Sequence, residues 1–304
     1  MSDVADAPSP SSLLATFAAT LTYGELPTAM VNIAVEAIAE VLRGAAGGWE
    51  DEALQQLFDV VAPLNSVPEA TVVGRRTHLG AGYAALLNAA AAQAAGELGA
   101  RSVERQVADV VAAAAIAVAE FSTAEPADLL VGIVAGLETA ARISLALGSS
   151  HTERGWRVAG TAGRVGAAVA ASRTLRRSPE DHLAAIAFAA TQAAGFAIGS
   201  GVSVPALVAG RAANDGVESA VVAAVGLIGD PLPLEGRRGL LALVSDGADA
   251  TELAREIGVA WRAKLASPND GVQRDDALFG AALHLSDSGD LAAVFAEAEL
   301  LADH

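Results

Sequence analysis

The sequence predicts an all-α protein, on three observations. Apolar residues make up 53% of the 304 positions while aromatic ones make up only 4%, so alanine, valine and leucine must supply the core. Alanine is the strongest helix former and lets helix axes approach closely, which suits tightly packed helices. No strand-period alternation persists anywhere along the chain, and no fixed repeat is visible.

The elements follow in order. Residues 1–11 read as a tail, with a single helical domain over 12–304. A first helix is expected from Ser12 to Thr22, and a second from Pro27 to Arg43, stopped by Gly44-Ala45-Ala46-Gly47-Gly48. The stretch from Trp49 to Val73 is ambiguous. Helices are then expected from His78 to Leu98, from Val103 to Phe121, and from Pro126 to a stop near Gly148. A glycine-rich loop leads into a helix reaching about Leu175. Ser178-Pro179-Glu180-Asp181 supplies a capping serine, a first-turn proline and two acids at the positive end of the dipole. Asp249 with Glu252 marks another start, and 290–304 a returning terminal helix.

Composition excludes several functions. A formal net charge of -17 disfavours nucleic acid, which needs a basic face. Absence of cysteine removes disulfides, thiolate nucleophiles and thiolate metal sites. The N-terminus is acidic and polar, unlike a signal peptide, so the expected location is cytoplasmic. Leu183 to Gly210 carries no charge and is long enough to span a bilayer, but its polar residues and glycines favour a buried helix followed by a turn. No membrane association is expected. Five histidines stand without ligand-pair spacing, so neither metal nor cofactor is expected.

The most informative stretch runs from Ala146 to Arg173, ALGSSHTERGWRVAGTAGRVGAAVAASR. It places His151, Arg154, Arg157 and Arg164 on or near one glycine-rich loop. Its frame of His151, Gly155-Trp156-Arg157 and Gly160-Thr161-Ala162-Gly163 resembles the MmgE/PrpD family, which includes 2-methylcitrate dehydratase and cis-aconitate decarboxylase. Further segments match in order: Glu36-Ala37-Ile38-Ala39, Gly136-Leu137-Glu138 with Arg142, Gln192-Ala193-Ala194-Gly195, Gly210-Arg211-Ala212-Ala213 and Leu234-Glu235-Gly236-Arg237-Arg238-Gly239. The resemblance implies the family's helical domain, a metal-free chemistry and a homodimer.

Several positions depart from that pattern. Arg157 stands where the family has a second histidine. In the segment beginning at Asn88, Gln93 and Gly96 replace a histidine and an acid, and Pro205-Ala206-Leu207-Val208 lacks the family's lysine. The family's α/β lid domain is not expected, because the sixty-odd residues after Gly239 are too few for a typical independent domain.

Arginine is a permanent cation, so position 157 changes from proton transfer to anion binding. Arg154, Arg157, Arg164 and the backbone at Gly160-Thr161 form a candidate carboxylate or phosphate site, with Asn88 and Gln93 as further substrate contacts. The alternative is that these arginines pair with surface acids. His151 and Glu97 are the candidate acid or base groups, with Glu153 a weaker one, although a loop histidine is often merely solvated. Arg75, Arg76 and His78 form a second basic cluster, read as a solvated loop.

These readings point to a repurposed enzyme of specialised metabolism. It would perform elimination, isomerisation or ring closure on a small anionic metabolite, with a partner protein as a further candidate cover for the open cleft. Two alternatives stand beside it: a catalytically silent binding or assembly subunit, and a retained dehydratase or epimerase.

Overall fold

The computed structural model describes residues 7–65, 67–95, 102–198, 203–265, 281–282 and 291–302. Eleven α-helices occur among them. They are α1 (Pro10–Thr20), α2 (Thr28–Gly47), α3 (Glu52–Val61), α4 (Ala81–Ala94), α5 (Val103–Ser122), α6 (Pro126–Glu153), α7 (Ala162–Thr174), α8 (Pro179–Thr191), α9 (Ser203–Ala223), α10 (Leu240–Val244) and α11 (Leu291–Ala302). One antiparallel hairpin, β1 (Ala70–Val72) with β2 (Thr77–Leu79), stands before α4. The all-α class therefore holds, and α7 is its axis. Every residue of α7 is buried, enclosed by α5, α6, α8 and α9.

Small residues make that burial possible. A Cβ on Gly136 of α6 would lie 2.5 Å from the Gly166 carbonyl oxygen, and one on Gly166 would lie 2.6 Å from the oxygen of Gly136. The two backbones therefore touch, a spacing no larger residue permits. Gly44 acts similarly and is not a helix stop. It faces the Ala92 Cα of α4, and α2 runs on to Gly47.

Other boundaries also differ from expectation. α1 starts at Pro10, because the Ser9 side chain caps it by accepting from Ser12 N. His78 lies in β2 and outside α4; strands of three residues are too short to leave a period-2 signature. α6 continues past Gly148, which kinks it at φ 64°. Ala250–Leu253, after Asp249, is only a 3-10 turn. The uncharged stretch divides into α8, a bend and α9. Among the described residues α6 alone is long and apolar enough to cross a membrane, and most of its apolar span is buried within the fold.

Buried charge fixes how the peripheral segments dock. On α6, Glu138 and Arg142 form an ion pair of 2.7 Å in which both side chains are almost fully buried. The second Glu138 oxygen accepts the backbone N–H groups of Arg262 and Ala263, both at 2.8 Å. Arg142 donates to the carbonyls of Arg255 and Ala260, again at 2.8 Å. The pair thus pins residues 255–263 to α6 with every strong group satisfied. Removing one partner of such a pair leaves an uncompensated charge, at a cost of about 3–5 kcal/mol. Glu138→Ala is expected to lower the unfolding free energy by that amount in urea melts, whereas a loss of under about 1 kcal/mol, the size of an exposed pair, would show the pair is dispensable.

Candidate functional site

The cationic stretch folds as the end of α6, a turn at 154–157, a 3-10 turn (Val158–Gly160) and the start of α7. Its backbone is zipped to residues 193–197. Arg157 N donates to Gly195 O at 2.8 Å, Ala197 N to Gly155 O at 2.7 Å, and Ala194 N to Gly160 O at 3.1 Å. Gly155 supplies the turn with φ 85°. Gly160 permits the contact, since a Cβ there would sit 2.0 Å from Ala194 O. Two segments distant in sequence, Gly-Trp-Arg…Gly-Thr and Gln-Ala-Ala-Gly, are one structural unit.

His151 lies inside this unit, 1% exposed. Its Nδ1 is 3.1 Å from the Val244 carbonyl and its Nε2 is 2.9 Å from the Thr161 hydroxyl. A carbonyl only accepts, so Nδ1 carries the proton and Nε2 receives the one donated by Thr161. Trp156 stacks on the ring at 6.1 Å, nearly parallel, and burial pushes the imidazole pKa below its usual value. The ring is a neutral bracket, held away from solvent. Around it Ser150 meets Ser245 at 2.7 Å, Ser245 Oγ donates to Leu147 O, and Asp249 N donates to Ala146 O. The loop therefore grips residues 244–249.

The arginines divide. Arg154 is half exposed and pairs with the exposed Asp246 at 2.7 Å, a surface pair that contributes little. Arg164 is buried, with a pKa lowered by burial and partly restored by Asp215. Its guanidinium is tied to Asp215 and to the Gln192 carbonyl. Arg157 is half-buried; its Nε is buried with no hydrogen-bond partner, and no acid pairs with it among the described residues. Thr161 is fully buried against His151.

The other candidates lie elsewhere. Asn88 clamps the hairpin to α4, accepting from Val73 N at 3.0 Å and donating to Thr71 O at 2.9 Å. Gln93 donates to Asp109 at 2.5 Å in the interior. Glu153 is exposed, and Glu97 lies outside the described residues. In the second basic cluster, Arg75 packs over Phe58 at 4.2 Å and over Trp49 at 5.0 Å, a cation–π contact in place of the expected solvated loop. His78 is exposed, 3.4 Å from the Thr71 hydroxyl. That hydroxyl donates to Glu120 at 2.6 Å, and burial raises the Glu120 carboxyl pKa. Sequence reasoning missed this group and the stacking role of Trp156; periodicity marks Glu120 only as the polar end of α5.

An α-helical domain packed through close glycine contacts, with a glycine-built loop zipped to a second segment by main-chain hydrogen bonds, is the class that fold and site define. Residues 12–253 match the N-terminal domain of MmgE/PrpD, and the chain belongs to that family. No curated protein matches the chain.

The buried histidines set an acid limit on the fold. His182 on α8 is fully buried, and burial pushes its pKa from 6.5 down to about 4. Unfolded imidazole binds a proton near 6.5 while the folded one resists, so their stability contribution is full above that value and is lost as pH falls. The thermal midpoint is expected to drop from about pH 6.5 towards pH 4, and His182→Gln to flatten the drop. An identical drop in the variant would assign the acid sensitivity to other groups.

Proposed function

We propose that this chain is a divergent MmgE/PrpD enzyme that holds an anion at Arg157 in place of moving a proton there. Its reaction is an elimination, isomerisation or ring closure on a small anionic metabolite, with Arg157 stabilising the charge that develops on a leaving group. The carrying observation is the unpaired guanidinium of Arg157, with its buried Nε, in a protein of net charge -17. A cation left without an acid where acids are in excess is a ready anion site. Its backbone is held by Gly195, so the side chain is presented from a fixed position.

A second reading, a silent binding or assembly subunit, draws support from the internal use of the other groups. His151, Asn88, Gln93 and Arg164 all face protein partners. Retained proton transfer by His151 is disfavoured, since both ring nitrogens are engaged and the ring is sealed. Single-domain organisation over 12–304 and assembly as a homodimer, or with a covering partner protein, belong to the same proposal.

Calorimetric titration with small di- and tricarboxylates tests the anion site. Arg157→Ala is expected to weaken the best-binding acid at least tenfold and Arg157→Lys less, since lysine keeps the charge but loses the planar fork. Equal affinity in Arg157→Ala and the parent would sink the reading. Anion binding without turnover, across carboxylates bearing β-leaving groups, would select the silent-subunit reading.

A further inference from the structure

A separate cavity lies on the other flank of the same loop. It measures about 590 Å³ and is bounded by Trp156, Thr191, Leu240, Leu243, Arg237 and Arg238, among others. Volumes of this size are typical of sites for small organic ligands. Leu243 is 62% exposed and Leu232 43%, so the rim offers apolar surface that nothing in the described structure covers.

The two arginines are presented by a rigid turn. Gly239 N donates to Gly236 O at 2.7 Å, Gly236 N to Leu232 O at 3.0 Å, and Leu240 N to Pro233 O at 2.9 Å. A Cβ on either glycine would approach a backbone oxygen to 2.5 Å, so the turn has no room for other residues. Glu235, the acid nearest in sequence, is turned away. It accepts the backbone N–H and the hydroxyl of Ser11 at the start of α1. Asp230, the acid in the lining, accepts from Leu232 N at 2.8 Å in its own turn. Among the described residues no acid pairs with Arg237 or Arg238, and two adjacent cations repel each other unless an anion sits between them.

We infer that this cavity binds an amphipathic organic anion, with its carboxylate or phosphate head on Arg237 and Arg238 and its apolar body against Trp156, Leu240 and Leu243. The site is distinct from Arg157. In the extended segment 156–157 successive side chains leave on opposite sides, and Arg157 is not part of the cavity wall. Trp156 is the natural reporter, because a ligand seated there alters its indole surroundings.

Decanoate, titrated against the full chain while tryptophan fluorescence is read, tests the inference. Saturable quenching is expected, absent from Trp156→Phe, which still binds decanoate by calorimetry. Citrate has a head without a body and decanol a body without a head, and in the Arg157→Ala background each is expected to bind this cavity at least tenfold more weakly than decanoate. The Arg237→Ala/Arg238→Ala variant should weaken decanoate at least tenfold with an unchanged unfolding midpoint, both side chains being exposed. Arg157→Ala should leave decanoate binding unaltered, which separates this site from the first. No saturable quenching, decanol equal to decanoate, or full affinity in the double-arginine variant each overturns the assignment.

Discussion

The backbone contact of α6 and α7 at Gly136 and Gly166 is the constraint on which the rest of the structure depends. It brings two helices closer than ordinary side chains allow, and that closeness lets α7 disappear wholly into the interior. A helix surrounded on all sides has no solvent-facing stripe, so most of α7 is alanine, glycine and valine. Packing to interior density with such residues requires many helices at short range rather than a few large aromatic groups. The low aromatic content is a consequence of this geometry.

An interior made that way has no space for a stray charge, yet α6 and α7 carry Arg142, Arg164 and Arg173. Each is answered twice, by an acid and by a backbone carbonyl. Arg142 has Glu138 and two carbonyls; Arg164 has Asp215 and Gln192 O; Arg173 has Asp128 and Leu21 O. Burial is tolerable only with that full complement. The same bonds lash outer segments to the central helices, so the buried cations set the tertiary arrangement. Against that pattern Arg157 and Arg177 differ: each has a buried Nε with no hydrogen-bond partner, and among the described residues neither has an acid.

Helices and family were legible in the sequence because both rest on local signals. Alanine runs and caps mark helices, and ordered short motifs mark the family. The functional reading of the cationic loop was less legible, because what decides each side chain's role lies far along the chain. Asp215 is 51 residues from Arg164, Asp246 is 92 from Arg154, and Val244 is 93 from His151. Spacing grouped four cations into one site; the fold distributes them among a surface pair, a buried clamp, a sealed ring and one free guanidinium. Asn88 and Gln93 were read as ligand contacts, yet their partners are the hairpin backbone and Asp109. Arg75 failed in the opposite sense, since stacking on Trp49 and Phe58 needs aromatic neighbours 26 and 17 positions away.

The loop tolerates different chemistry at position 157 for a reason visible in its hydrogen bonds. What holds 155–160 in place is main-chain pairing with 193–197, the glycines that allow it, and the His151–Thr161 bracket. None of these depends on the side chain at 157; that residue takes part through its backbone, its N–H donating to Gly195 O and its carbonyl accepting from Gly160 N. A histidine and an arginine can therefore exchange there without disturbing the scaffold. By contrast, exchanging Gly160 would drive a Cβ into Ala194 O, and losing His151 would remove its hydrogen bonds to Val244 O and the Thr161 hydroxyl. Within one short motif, frame residues are bound by packing while the side chain at position 157 is open to different chemistry.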